Sequence, residues 1–241
     1  MTSMDTFWAA VAGAPLVVLT DFDFTITEVD VGDLITGTLA PPSAEIDRRF
    51  RAHEIGIQAY WWDSMARVPL APAEALSDTV SIDPGFAEFA GWCHEADIPL
   101  AVVSEGFSFY ISRILGRAGL GHLPVFCNEM PRTGDLQFPH GNSVCGRCGC
   151  CKAGVARRAR AGGSHVLYIG DGISDLYGSG YADWVFAKAH LARHLDEQGS
   201  HFFPLTDFAG VQRTVAARLD DFRAGTAPGR STVGPHASCR F

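Results

Sequence analysis

The stretch Leu16-Val17-Val18-Leu19-Thr20-Asp21-Phe22-Asp23-Phe24-Thr25-Ile26-Thr27 decides the fold. It begins with an unbroken apolar run, as expected of a strand buried on both faces, and Leu16–Thr20 reads as that strand. The run stops at two carboxylates two residues apart. In an open α/β sheet, a strand ending in acids presents them in the crevice at its carboxyl end, where such sheets bind ligands. One carboxylate can attack while the other moves a proton. With a metal ion, such a pair can cleave a phosphate ester.

Outward from this segment the same pattern recurs. Pro99–Val103 is a second apolar strand, ending at Ser104-Glu105-Gly106, and Val166–Ile169 is a third, ending at Gly170-Asp171-Gly172. Shorter strands are expected at 125–128 and 184–187. Helical patterns fall between them, near 85–96, 107–118 and 152–161, and from Ser174. Strands alternating with helices predict an α/β fold, a doubly wound, Rossmann-like parallel sheet. Residues 28–82 differ in texture, with helical spacing, the aromatics Tyr60, Trp61 and Trp62, and breaks at Pro41-Pro42 and near Pro69. They read as a small helical insertion after the first strand. The core then comprises residues 1–27 and 83–222. The Gly-, Pro- and Ser-containing stretch 223–241 reads as a flexible tail.

Bulk properties narrow the partners. The chain has 241 residues, enough for one sizeable core with an insertion. Its formal net charge of −8 argues against nucleic acid, whose backbone needs a basic surface. No apolar run is long enough to span a membrane. No Lys or Arg precedes Arg48, so Ala9 to Leu19 lacks the basic flank of a signal peptide. Seven cysteines, unevenly spaced, do not resemble a secreted disulfide framework. A cytoplasmic protein with mostly reduced thiols is expected, either monomer or homodimer.

Three strands ending in polar residues, with Lys152 between the second and third, are hard to obtain by chance. A parallel sheet brings all those ends to one edge. The ordered motifs Asp21-x-Asp23-x-Thr25, Ser104, Lys152 and Gly170-Asp171-Gly172-x-x-Asp175 resemble the haloacid dehalogenase superfamily of phosphohydrolases, over residues 16 to 210. Asp30, Ala40-Pro41-Pro42, Val103-Ser104-Glu105-Gly106 and the run Cys145 to Lys152 are similar to its phosphoserine-phosphatase-like branch. They are most similar to the diketo-methylthio-phosphopentane phosphatase family of methionine salvage, also given as the 2-hydroxy-3-keto-5-methylthiopentenyl-1-phosphate phosphatase family.

The resemblance implies a Mg²⁺-dependent phosphomonoesterase acting on a small phosphorylated metabolite, with the insertion as a cap over the site. Asp21 would be the nucleophile, forming an aspartyl-phosphate. Asp23 would protonate the leaving group and then deprotonate the attacking water. Asp21, Asp23 through its backbone carbonyl, Asp171 and Asp175 would form the metal set, hard oxygen donors suited to Mg²⁺. Ser104, Gly106 and Lys152 would hold phosphate oxygens. Thr25 would assist them or serve as a cap, and Asp30 would meet substrate at the cap or start a helix. Phe24 stands where relatives usually carry Gly or Ser, and would narrow the site or lie under the cap. Glu105 also replaces a commoner small residue.

Other readings stand beside this one. A phosphomutase or other phosphotransferase would use the same aspartyl-phosphate. A phospho-acceptor signalling domain would carry its acceptor on a later strand than its acidic pair. A zinc-binding interaction module would use Cys145, Cys148, Cys150 and Cys151, although one compact run rarely gives tetrahedral geometry. A buried turn of reduced thiols or an internal disulfide would fit that run as well. Arg48, Arg49 and Arg51 read first as a solvated face and second as a substrate clamp.

Overall fold

A computed structural model describes residues 4–132, 135–237 and 239. Six strands form one all-parallel sheet: β1 (Leu16–Thr20), β2 (Leu100–Phe107), β3 (Val125–Asn128), β4 (His165–Gly170), β5 (Trp184–Ala187) and β6 (Phe203–Pro204). Their spatial order is β3-β2-β1-β4-β5-β6. This is the doubly wound order, and its reversal point lies between β1 and β4, whose residues Leu16 to Thr20 pair with His165 to Ile169. The two acidic strand ends are therefore side by side.

Every β1 residue is buried. Leu16 and Val18 face one core layer, with Phe86, Phe89 and Phe208, while Val17 and Leu19 face the other, with Phe7, Ala156 and Val185. Alternation across the pleat is why an unbroken apolar run is needed here. Helices α1 (Met4–Val11), α8 (Lys152–Ala161), α9 (Asp175–Ser179) and α10 (Ala189–Glu197) accompany these strands, as do α6 (Phe86–Glu95), α7 (Ser108–Arg117), α11 (Phe208–Ala216) and α12 (Leu219–Ala224).

Between β1 and α6 lie α2 (Val31–Leu39), α3 (Ala44–Arg51), α4 (Ile57–Asp63), a 3-10 turn at Met65–Arg67 and α5 (Leu70–Ser77). The chain leaves and rejoins the core at adjacent points. Thr27 bridges Ile82 antiparallel, and Asp83 N–H donates to Ile26 O at 2.7 Å. The inserted helices share apolar contacts with the core through Ile35, Met65 and Ala73, which join the cluster of Phe107, Tyr110 and Ile111. α3 buries no residue; Arg48 and Arg49 pair with Glu54, Arg48 also with Glu45, and Arg51 with Asp47. All three arginine side chains reach solvent, and Arg51 also lines the cavity described below.

Two expectations need correcting. β2 runs on through Ser104-Glu105-Gly106 to Phe107, because a register shift between Val103 and Phe107 lets the strand bulge there without ending. The segment after Arg223 is not free of the core. Trp184 Nε1 donates to Ala227 O at 3.1 Å, Arg230 pairs with Asp183, and the Thr232 and Val233 N–H groups donate to Ser200 Oγ. Ahead of the cysteine run, Glu129 and Gln137 pair antiparallel.

Candidate active site

A cavity of about 340 Å³ opens at the carboxyl edge of the sheet, between it and the inserted helices. Asp21, Asp23, Gly106, Lys152 and Asp171 line its floor, and Phe50, Tyr60 and Trp61 line its roof. Lys152, at the first position of α8, is buried and lies 2.7 Å from Asp21 Oδ2 and 2.8 Å from Asp175 Oδ1. Burial alone would lower its pKa, but the carboxylates outweigh that and hold it charged.

Asp21, Asp171 and Asp175 each offer an oxygen within 4.8 Å of the others. Three carboxylates facing one ammonium leave the cluster short of positive charge, and its donors are all hard oxygens. These residues fit a divalent cation such as Mg²⁺. Asp175 is less suited to be a ligand than the others. Its Oδ1 accepts from Lys152 and Tyr168, and its Oδ2 accepts from the N–H groups of Asp171 and Gly172. With about four acceptor sites on a carboxylate all engaged, Asp175 orients Lys152 and the β4 loop. Lys152 outweighs burial and holds Asp175 below the usual carboxylate range. Burial and the neighbouring Asp175 charge push Asp171 up to about 6.

Asp23 points elsewhere. Its Oδ2 accepts from Tyr110 Oη at 2.8 Å and lies 3.4 Å from Ser104 Oγ, and its Oδ1 accepts from Val31 N–H. Burial, then the Asp30 charge, push it up to about 8. Its side chain is outside the cluster of three, so a metal could meet this residue only through the backbone.

Thr25 Oγ1 donates to Asp171 Oδ1 at 2.8 Å and so supports that carboxylate. Gly106 N–H donates to Ser104 Oγ at 2.9 Å. A Cβ on Gly106 would lie 1.9 Å from Tyr110 Oη and 2.7 Å from Asp23 Oδ2, so only glycine fits. Asp30 caps α2 by accepting from Asp33 N–H at 2.7 Å, and it also lines the cavity. Phe24 does not narrow the site. It is 42% exposed, beneath the Lys188 ammonium at 4.9 Å. Its φ of +53° explains the usual glycine there.

Two residues escaped the sequence reading. Tyr110 and Tyr168 hold the acids, and neither carries a local signal beyond lying near a motif. Glu105 is a tie: its Oε2 accepts from the N–H groups of Gly149 and Cys150, and its backbone O accepts from Trp61 Nε1 at 3.1 Å. Cys150 is buried, with Sγ toward Phe126 O, away from the loop surface.

An all-parallel sheet at whose reversal point a lysine joins acids from two strands defines an α/β fold of the hydrolase class. The chain belongs to the haloacid dehalogenase-like hydrolase family, whose sequence profile matches residues 18–178. It is 32% identical over 192 residues to the 2-hydroxy-3-keto-5-methylthiopentenyl-1-phosphate phosphatase of Brevibacillus brevis, covering 76% of this chain and 86% of that one. It is 33% identical over 207 residues to the protein of that name from Geobacillus kaustophilus, covering 81% and 93%. A phosphoserine phosphohydrolase-like protein from Francisella tularensis has a similar fold, with TM-score 0.63, 16% identity, and coverage of 83% of this chain and 99% of that one. A phospho-aspartyl intermediate analogue of phosphoserine phosphatase is also similar, at TM-score 0.59 and 15% identity, covering 85% and 98%. The chain is a phosphatase of this family.

Proposed function

We propose that this phosphatase hydrolyses a small phosphomonoester by way of a phosphoryl group carried on Asp21, with Mg²⁺ as cofactor. One observation carries the reading: Lys152 bridges Asp21 and Asp175 while Asp23, two residues on, is held apart by Tyr110. Asp21 Oδ1 accepts from Phe22 N–H at 2.7 Å, so Oδ2, against Lys152, is the oxygen placed to attack phosphorus. Lys152 stabilises charge on the transferring phosphoryl oxygens, with Ser104 and Gly106 beside it. Asp23, protonated, gives its proton to the leaving oxygen. It then takes one from the water that cleaves the acyl phosphate, returning Asp21 and inorganic phosphate. Such proton transfer contributes roughly 10²–10⁴-fold. Asp21, Asp171 and the Asp23 carbonyl would hold Mg²⁺, which supplies the charge neutralisation that lets an anion approach a phosphate dianion.

The substrate class follows from the roof. Phe50, Ile57 and Trp61 of the inserted segment line the cavity beside the polar Asp33, Asp47 and Arg51, and their apolar surface supports a substrate with a phosphate at one end and an apolar group at the other. The methylthio end of 2-hydroxy-3-keto-5-methylthiopentenyl-1-phosphate, named for the relatives, matches that division and leads the candidates. A panel of phosphorylated metabolites with Mg²⁺, run with wild type and Asp21→Asn, tests both parts. Turnover should be highest for an apolar-ended phosphate and vanish in Asp21→Asn. Retained activity in that variant would refute the nucleophile, and a preference for phosphoserine or sugar phosphates would refute the substrate class. Asp23→Asn should slow both leaving-group departure and hydrolysis of the phosphoenzyme.

A further inference from the structure

We infer that the segment 141–149, just before α8, is a clasp that holds the inserted helices shut over the cavity, with Arg147 as its central positioning residue. The inference rests on the proposed function, in which those helices cover the site.

The insertion meets the core in two different ways. Its base is fastened largely by burial. Ile35, Met65 and Ala73 join the core cluster, while Arg117 donates to Ser77 O and Val80 O and Arg113 pairs with Asp78. The corner between α3 and α4 is held differently. α3 buries no residue, and Ala52, His53 and Glu54 are exposed. Hydrogen bonds from the clasp reach this corner. Arg147 Nη2 donates to His53 O at 2.8 Å and to Ile55 O at 3.2 Å. In the opposite direction, Gln58 Nε2 of α4 donates to Cys148 O at 2.8 Å. Trp61 Nε1 donates to Glu105 O, and Glu105 Oε2 accepts from Gly149 and Cys150 N–H. Clasp, β2 bulge and corner are thus joined in one network.

The backbones also meet. A Cβ on Gly56 would lie 2.6 Å from Arg147 Cα, so the two segments close only over a glycine. That requirement comes from the neighbour and not from local conformation, because Gly56 has φ −88° and ψ 171°, open to any residue. His53, by contrast, sits at φ +57° in the left-handed turn that ends α3, and its N–H donates to Phe50 O. The chain leaves the helix there, and the carbonyl of that residue is one that Arg147 meets. These acceptors are backbone carbonyls and the donors tip long side chains. Each such bond adds little net stability, so the clasp favours closure and can still release. Arg147 and Cys148 from the clasp, with His53 and Gly56 from the corner, also line the cavity. Parting this seam therefore opens the substrate space to solvent.

Backbone hydrogen exchange on the full chain without substrate tests the clasp whether or not any ester is turned over. In Arg147→Ala, and in Gly56→Ala, which wedges the seam, residues 44–63 should exchange at least about fivefold faster, while β1, β4 and β5 keep their wild-type rates. Arg147→Lys, whose ammonium can donate to both carbonyls, should restore much of the protection. With p-nitrophenyl phosphate and Mg²⁺, both alanine variants should raise KM at least about threefold without lowering kcat, since binding must first close an open cavity. Unchanged exchange at 44–63, faster exchange across the whole sheet, or a fall in kcat at constant KM would each overturn the clasp. Absence of turnover by the wild type would count against the proposed function instead, and exchange would still decide the clasp.

Discussion

At the scale of single residues, the acids work because of neighbours that carry no motif. Tyr110 Oη is the 2.8 Å donor to Asp23, and Ser104 Oγ lies farther away at 3.4 Å. Tyr110→Phe removes that donor but keeps the ring in the core. The expected outcome is a fall in kcat of roughly tenfold, about 1.4 kcal/mol, the net worth of one such hydrogen bond, with KM little changed. Steady-state kinetics checks it, and an unaltered kcat would show that Asp23 is positioned by Val31 N–H alone. The grouping of Asp21, Lys152 and Asp171 was legible because each sits beside a strand end or helix start. The partner of Thr25 was not, because Asp171 lies 146 residues away and only the fold brings the two together.

At the scale of elements, the join between β2 and the cysteine loop matters most. Glu105 sits in the β2 bulge, accepts two N–H groups from that loop and, through its carbonyl, one from Trp61 of α4. Burial raises its carboxyl from the ordinary 4.5 to about 7, against the opposing pull of those N–H donors and Lys152. A raised acid binds its proton more tightly in the folded state. Its contribution is therefore fully present below about pH 4.5 and is lost as pH rises through about 7. Chemical denaturation across this range should show Glu105→Gln flattening the fall by up to about 3 kcal/mol, since the amide oxygen can accept the same N–H groups uncharged. Equal pH slopes in variant and wild type would place the titration elsewhere. The strands were legible from their apolar runs. The β2 bulge was not, because polar Ser104 and Glu105 look like the end of a strand when only hydrophobicity is read.

For the whole molecule, the acid cluster places negative charge that one lysine does not balance inside an already acidic chain. Cation binding should therefore stabilise the fold. At Mg²⁺ a hundredfold above its dissociation constant, linkage gives about 2.7 kcal/mol, visible as a rise in Tm that chelator reverses and Asp171→Asn abolishes. A Tm indifferent to Mg²⁺ would argue against an ion at that cluster. The architecture was legible because β1, β2 and β4 carry both the apolar pattern and the chemistry. The helices α10 to α12 and strand β6 supply only packing, so they left no motif, and the anchoring of 225–233 depends on partners such as Asp183 and Ser200. The bridge of Thr27 to Ile82 has a wider consequence. Since the inserted segment begins and ends at neighbouring points, its length and sequence can change while the anchor stays the same. On the proposed reading, in which this segment caps the site, the chemistry and the choice of substrate would be separable inheritances: a segment exchanged between those two residues would alter specificity while keeping the same anchor on the sheet.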